Sequence, residues 1–149
     1  MNRTVHRSAG RPPAFSYREM RKGFLPRRSV GAVLDCDDLS LERLVERFGT
    51  PLYVYSASTI RERMRSFEHA FRKVPHTVCY SVKANSSLAI LRQLAAMGCG
   101  FDVVSGGELE RVLRVDPRAA KKVVFSGVGK TAAEIEFALR NGVGLIVAP

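Results

Sequence analysis

The feature that most constrains the fold is a repeat in the second half of the chain. Short, nearly continuous apolar runs begin near residues 78, 101, 123 and 144, separated by 23, 22 and 21 residues. The runs at 78–82, 101–105, 123–126 and 144–148 read as strands. Between them, 87–97 and 108–115 read as helices. A third helix is opened by the capping box Thr131-Ala132-Ala133-Glu134 and closed by Gly142. Apolar runs without polar alternation belong to strands covered on both faces. Regular alternation of strand and helix means parallel strands joined by right-handed helical crossovers. The class is therefore α/β, and two architectures fit: a doubly wound sheet or a (β/α)8 TIM barrel. Four strands do not close a barrel, which takes roughly 250 residues. Under the barrel reading, residues 31–149 are the N-terminal portion of a larger one, about four βα units long.

Upstream the pattern is looser. Ser40 followed by Leu41, Leu44, Val45 and Phe48 predicts a capped two-turn amphipathic helix that Gly49 ends. Residues 51–55 (Pro-Leu-Tyr-Val-Tyr) predict a short strand. Ser58 is placed to cap a longer helix with Ile60, Met64, Phe67 and Phe71 along one face.

Charge has to be divided along the chain before it means anything. Residues 1–30 hold eight basic residues and one acidic residue, +7 of the net +10, which leaves +3 for residues 31–149. The basicity belongs to a leading tail without periodicity or interleaved aromatics, read as a disordered leader or as chain upstream of a later start at Met20. The nearly balanced body gives no nucleic-acid signature. No apolar run approaches the ~18–20 residues of a membrane span. Cys36, Cys79 and Cys99 form no CxxC pair, and with His6, His69 and His76 equally scattered there is no metal pattern. Unpaired cysteines without a secretory signal fit reduced thiols and a cytoplasmic setting.

Chemistry in α/β folds collects at the carboxyl ends of parallel strands, which directs attention to three segments. Lys83, in Tyr80-Ser81-Val82-Lys83-Ala84-Asn85, ends an otherwise apolar strand. Either it reaches solvent, or it points into a barrel mouth, where lost hydration favours the neutral amine that condenses with aldehydes. Asp102 and Glu108, in Gly100 to Glu108, lie on the next strand and at the start of its helix. Either both face Lys83 across the mouth, or Asp102 is a turn residue and Glu108 complements its helix dipole. The Gly106-Gly107 pair permits an anion-binding turn. Ser126-Gly127-Val128-Gly129-Lys130-Thr131 ends like a nucleotide-binding P-loop, but that motif requires glycine at position 124, which is Val124. A tight strand-to-helix turn at the site's rim fits it better.

Taken together in this order and spacing, these segments resemble the fold-type III pyridoxal-phosphate decarboxylases, and within them the diaminopimelate branch. The resemblance covers about residues 31–149, starting at Gly49-Thr50-Pro51-Leu52-Tyr53-Val54-Tyr55. At position 81 the family more usually has alanine where this chain has Ser81. The resemblance implies that Lys83 carries pyridoxal 5'-phosphate as a Schiff base, that Asp102 and Glu108 tune and position Lys83, and that Asp102 also helps hold the cofactor. It implies conversion of meso-diaminopimelate to L-lysine in amino-acid biosynthesis, by a cytoplasmic homodimer without nucleic-acid or membrane partners. It further implies that the family's phosphate-binding glycine turn, the substrate-binding arginines and the C-terminal β-domain lie beyond Pro149. The 149-residue chain is then inactive alone. Two alternatives stand beside this one: a related ornithine- or arginine-type decarboxylase, and a non-catalytic truncated barrel acting as a binding module.

Overall fold

The computed structural model describes residues 14–19 and 32–147. The chain divides into two units, Met1–Arg63 and Met64–Pro149. Most of the expected leader, residues 1–30, lies outside the described residues, as does Met20.

In the first unit, strand β1 (Phe15–Glu19) pairs antiparallel with β2 (Ala32–Cys36), and β2 turns back into β3 (Leu39–Ser40). The basic segment therefore contributes a strand at 15–19, because β-pairing partners are selected across sequence distance and a leader's composition does not reveal them. The hairpin turn consists of Asp37 and Asp38 at φ 48° and 66°. Aspartate is among the few non-glycine residues that take up this left-handed conformation readily. Helix α1 (Leu41–Phe48) follows, with Gly49 donating its N–H to the Val45 carbonyl. Both ends of α1 fall where the sequence places them, but Ser40 makes no side-chain capping hydrogen bond.

The expected strand at 51–55 does not form. The segment has no ladder partner, and Tyr53 and Tyr55 are 87% and 56% exposed. Aromatic and β-branched residues suit a strand only where a neighbouring strand and a packed face receive them. Helix α2 (Ala57–Phe71) starts two residues earlier than its expected cap allows. Ser56, not Ser58, accepts the N–H of Thr59 at 3.0 Å. Ser58 instead donates its backbone N–H to Asp37 at 3.2 Å and its hydroxyl to the same carboxylate.

The second unit is built on four parallel strands in the order β4 (Cys79–Ser81), β5 (Gly100–Val103), β6 (Val123–Phe125), β7 (Leu145–Ile146). Helices α3 (Leu88–Ala96), α4 (Gly106–Val115) and α5 (Ala132–Arg140) connect them. A 3-10 turn at Val82–Ala84 follows β4, and another at Pro117–Lys122 follows α4. Strand order that simply follows the chain, without reversal, is the arc of a barrel, since a doubly wound sheet reverses at a switch point.

Side-chain alternation sorts the two faces of this arc. Phe101, Val103, Val123 and Phe125 are at most 1% exposed and share their side of the sheet with buried Leu91, Leu94, Leu109, Val112 and Ala138 from the three helices. Complete burial of such side chains contributes about 1.5–3 kcal/mol each. Asp102 and Val124, one residue out of phase and paired in register, are only half-buried on the opposite face. Gly98, at φ +80°, ends α3 in the left-handed conformation that an L side chain resists.

Candidate functional site at the carboxyl ends of the strands

Asp102 is the hub of the polar face. Parallel register sets Ser81 of β4 opposite Asp102 of β5, and the Ser81 hydroxyl donates to Oδ2 at 2.9 Å. From the other side Ser126, immediately after β6, donates its hydroxyl to Oδ1 at 2.5 Å. The backbone N–H of Ser126 also extends the β5–β6 ladder by donating to the Val103 carbonyl at 3.0 Å. Gly127 then passes so close to β5 that a Cβ there would collide with the Val104 carbonyl. Only glycine allows this approach, and it keeps Ser126 against Asp102. Both carboxylate oxygens are thus engaged by neutral hydroxyls, and no cation pairs with Asp102 among the described residues.

Lys83 lies two residues beyond Ser81, in the 3-10 turn rather than in the strand. The backbone around it is well fixed. Val82 is fully buried, the Tyr80 hydroxyl donates to the Asn85 carbonyl at 3.1 Å, and Asn85 Oδ1 accepts the Ser87 N–H at 2.9 Å. Arg111 of α4 reaches the Ser86 carbonyl at 3.3 Å. The Lys83 side chain itself is exposed. Among the described residues it has no hydrogen-bonding or ionic partner. A fixed turn therefore presents a free amine.

Glu108 points elsewhere. Its Oε2 accepts the backbone N–H of Val104 at 2.9 Å, while its own N–H donates to the Ser105 hydroxyl at 3.3 Å. The Ser105 hydroxyl caps the start of α4, and the Glu108 carboxylate ties the residue before that cap to the helix. The contacts of Glu108 are those of the helix-terminus reading, and the structure does not bring its carboxylate to Lys83 by any hydrogen bond. The glycine turn is also occupied from within the chain: Glu134 of α5 accepts the Gly106 N–H at 2.7 Å. The other Glu134 oxygen accepts from the Thr131 N–H and hydroxyl, both at 3.0 Å. These donors, Gly106 first, hold the Glu134 carboxyl below its usual range.

Three side chains at the strand ends escaped the sequence reading. The hydroxyls of Ser81 and Ser126 clamp Asp102, and strand parity was the signal available, since 81, 102 and 124 fall in one row. Lys130, in the rejected P-loop motif, donates its ammonium to the Gly127 carbonyl and, at 2.6 Å, to the Val147 carbonyl. It joins the carboxyl ends of β6 and β7. Among the described residues no cluster of His, Cys, Asp and Glu could hold a metal, and no helix is long and apolar enough to cross a membrane.

Comparison with known proteins gives the family. The family model described as pyridoxal-dependent decarboxylase, pyridoxal binding domain, matches residues 57–148, so the chain belongs to that family. Diaminopimelate decarboxylase of Neisseria meningitidis serogroup A is 54% identical over 110 residues, covering 74% of this chain and 27% of that protein. The enzyme of the same name from Pseudomonas fluorescens is 51% identical over 113 residues, covering 76% and 27%. The crystal structure of diaminopimelate decarboxylase from M. jannaschii in co-complex with L-lysine aligns with a TM-score of 0.75 at 34% identity, over 91% of this chain and 30% of that one. The parallel arc is the N-terminal part of the barrel of these decarboxylases. The chain spans 27% of the length of the curated relatives quoted.

Proposed function

We propose that Lys83 binds pyridoxal 5'-phosphate covalently and that the chain is the cofactor-anchoring part of a diaminopimelate decarboxylase acting in lysine biosynthesis. The observation that carries this is the free Lys83 amine, held on a fixed turn at the carboxyl end of a parallel strand. The donor set suits the group: an unpartnered amine for its aldehyde, and beside the same strand end a carboxylate without a cation. When bound, the cofactor's ring takes up the electron pair left behind as the substrate's carboxylate departs as carbon dioxide. Lys83 holds the cofactor and yields it to the substrate's amine. Asp102 keeps negative charge beside the lysine and steadies the cofactor. Glu108 acts on this site by fixing the strand-to-helix turn that follows Asp102.

The relatives' name supports diaminopimelate as the substrate, and the structure solved with L-lysine bound supports lysine as the product. In this proposal the pyridoxal-phosphate-binding barrel lies within residues 31–149, residues 1–30 stand outside it although 15–19 pair with β2, and the working enzyme is a cytoplasmic homodimer. The four-stranded arc alone is expected to release no carbon dioxide from diaminopimelate. Adding pyridoxal phosphate to the chain and then borohydride tests the anchoring role. A hydrolysis-resistant adduct that disappears in Lys83→Ala is expected, and an undiminished adduct in that variant would refute it.

A further inference from the structure

We infer that Ser81 and Ser126 are positioning residues that act through Asp102 on the cofactor-bearing lysine. This rests on the proposal that Lys83 holds pyridoxal phosphate, and it goes beyond it by assigning roles to two hydroxyls. An aspartate at the end of a strand can swing about χ1 and χ2, and its free oxygens turn toward water. Here the swing is blocked from both sides by donors carried on different strands: Ser81 at 2.9 Å on Oδ2 and Ser126 at 2.5 Å on Oδ1. Both donors are anchored by backbone. Ser81 is fixed by the β4–β5 register, and Ser126 by its N–H on Val103 and by the approach of Gly127 to Val104.

The choice of hydroxyls has a chemical consequence. A lysine or arginine in either place would orient the carboxylate equally well but would neutralise it. A serine orients it and leaves its charge intact. Other charged groups on neighbouring elements are engaged elsewhere: Glu108 with Val104, Arg111 with Ser86, Lys122 with the Gly98 carbonyl, and Glu110 with Arg114. The Cys79 thiol on β4 does feel the Asp102 charge: burial first, and that charge second, raise its pKa. The carboxylate is thus held on β5, the strand paired with β4, at whose end Lys83 stands.

The test is a pH titration of the visible absorbance of the lysine-bound cofactor in the full chain, followed by borohydride and peptide mapping. In the Ser81→Ala, Ser126→Ala double variant the adduct stays on Lys83. Its absorbance midpoint moves to lower pH by about one unit, since a carboxylate that swings away no longer stabilises the protonated nitrogen. Ser81→Ala alone moves it part of the way, and Ser81→Thr restores it. In an Asp102→Asn background the serine changes add no further shift, because their effect passes through Asp102. An unmoved midpoint, or an equal shift in the Asp102→Asn background, would overturn the role of the serines while leaving Lys83 in place. Adduct on another lysine, or none, would overturn the Lys83 proposal and this inference with it. If the double variant does not fold, Ser81→Ala with its threonine rescue decides alone.

Discussion

Lys83 follows β4 and Lys130 follows β6, and each stands in the turn that leads from its strand into the next helix. At Lys83 the backbone is held and the amine is free. At Lys130 the amine is the holding device: it bonds the Gly127 and Val147 carbonyls and lies 5.4 Å from the centroid of the buried Phe125 ring. Hydrogen bonds from a charged donor contribute about 1.5–3 kcal/mol, and a lysine committed to two of them is a structural tie. A lysine with none has nothing to give up when it reacts. The P-loop resemblance drew attention to Lys130, which the structure uses as a tie between strand ends.

The sharpest way to break this contrast is through stability. Lys130→Met leaves two strand-end carbonyls without their donor and is expected to cost about 2–3 kcal/mol. Lys83→Met removes no bond and is expected to stay within about 0.5 kcal/mol. Urea denaturation midpoints of the two variants measure the difference. Equal losses would erase the distinction between tie and free amine.

A smaller effect concerns acid. Glu134 opens the helix that follows Lys130, and the Gly106 and Thr131 N–H groups hold its carboxyl below the usual range. A carboxyl depressed in the folded state contributes stability that is present above its unfolded pKa and is lost as pH falls through the folded one. The Lys130 end should therefore loosen in acid before the Lys83 turn does, and Glu134→Gln should flatten that dependence. Hydrogen exchange of the Gly106 and Thr131 amides against pH reads it directly. An unchanged acid profile in Glu134→Gln would contradict the assignment.

The smallest effect is at the opposite end of the sheet. Burial pushes the Cys99 thiol up to about 11, so at neutral pH it should be alkylated far more slowly in the folded chain than in urea. Rapid labelling of Cys99 in the folded chain would mean that the amino ends of the strands open more readily than their packing allows.

How much of this was legible in the sequence depended on how local the cause was. The boundaries of α1, α3 and α5 were readable because caps and left-handed glycines act within a few residues: Gly49, Gly98 and the Thr131–Glu134 box stand where the sequence puts them. The βα repeat was readable because each strand carries its own apolar run. Strand β1 and the absent strand at 51–55 were not, since both depend on whether a distant partner exists. The cap of α2 moved from Ser58 to Ser56 because Asp37, some twenty residues away, takes the Ser58 hydroxyl and N–H. At the site, strand pattern alone left Lys83 between solvent and the barrel mouth, and only its register with the Asp102–Glu108 and Ser126–Thr131 segments singled it out. Glu108 was left between two uses that only its contact with Val104 separates, and the Ser81–Asp102–Ser126 clamp required the register of three strands.

The central claim is that the free amine, not the tied one, receives the cofactor. Peptide mapping by mass spectrometry of the borohydride-fixed pyridoxal phosphate adduct on the full chain tests it most directly. The label is expected on the peptide containing Lys83, with Lys130 unmodified; label on Lys130, or spread evenly over surface lysines, would contradict it.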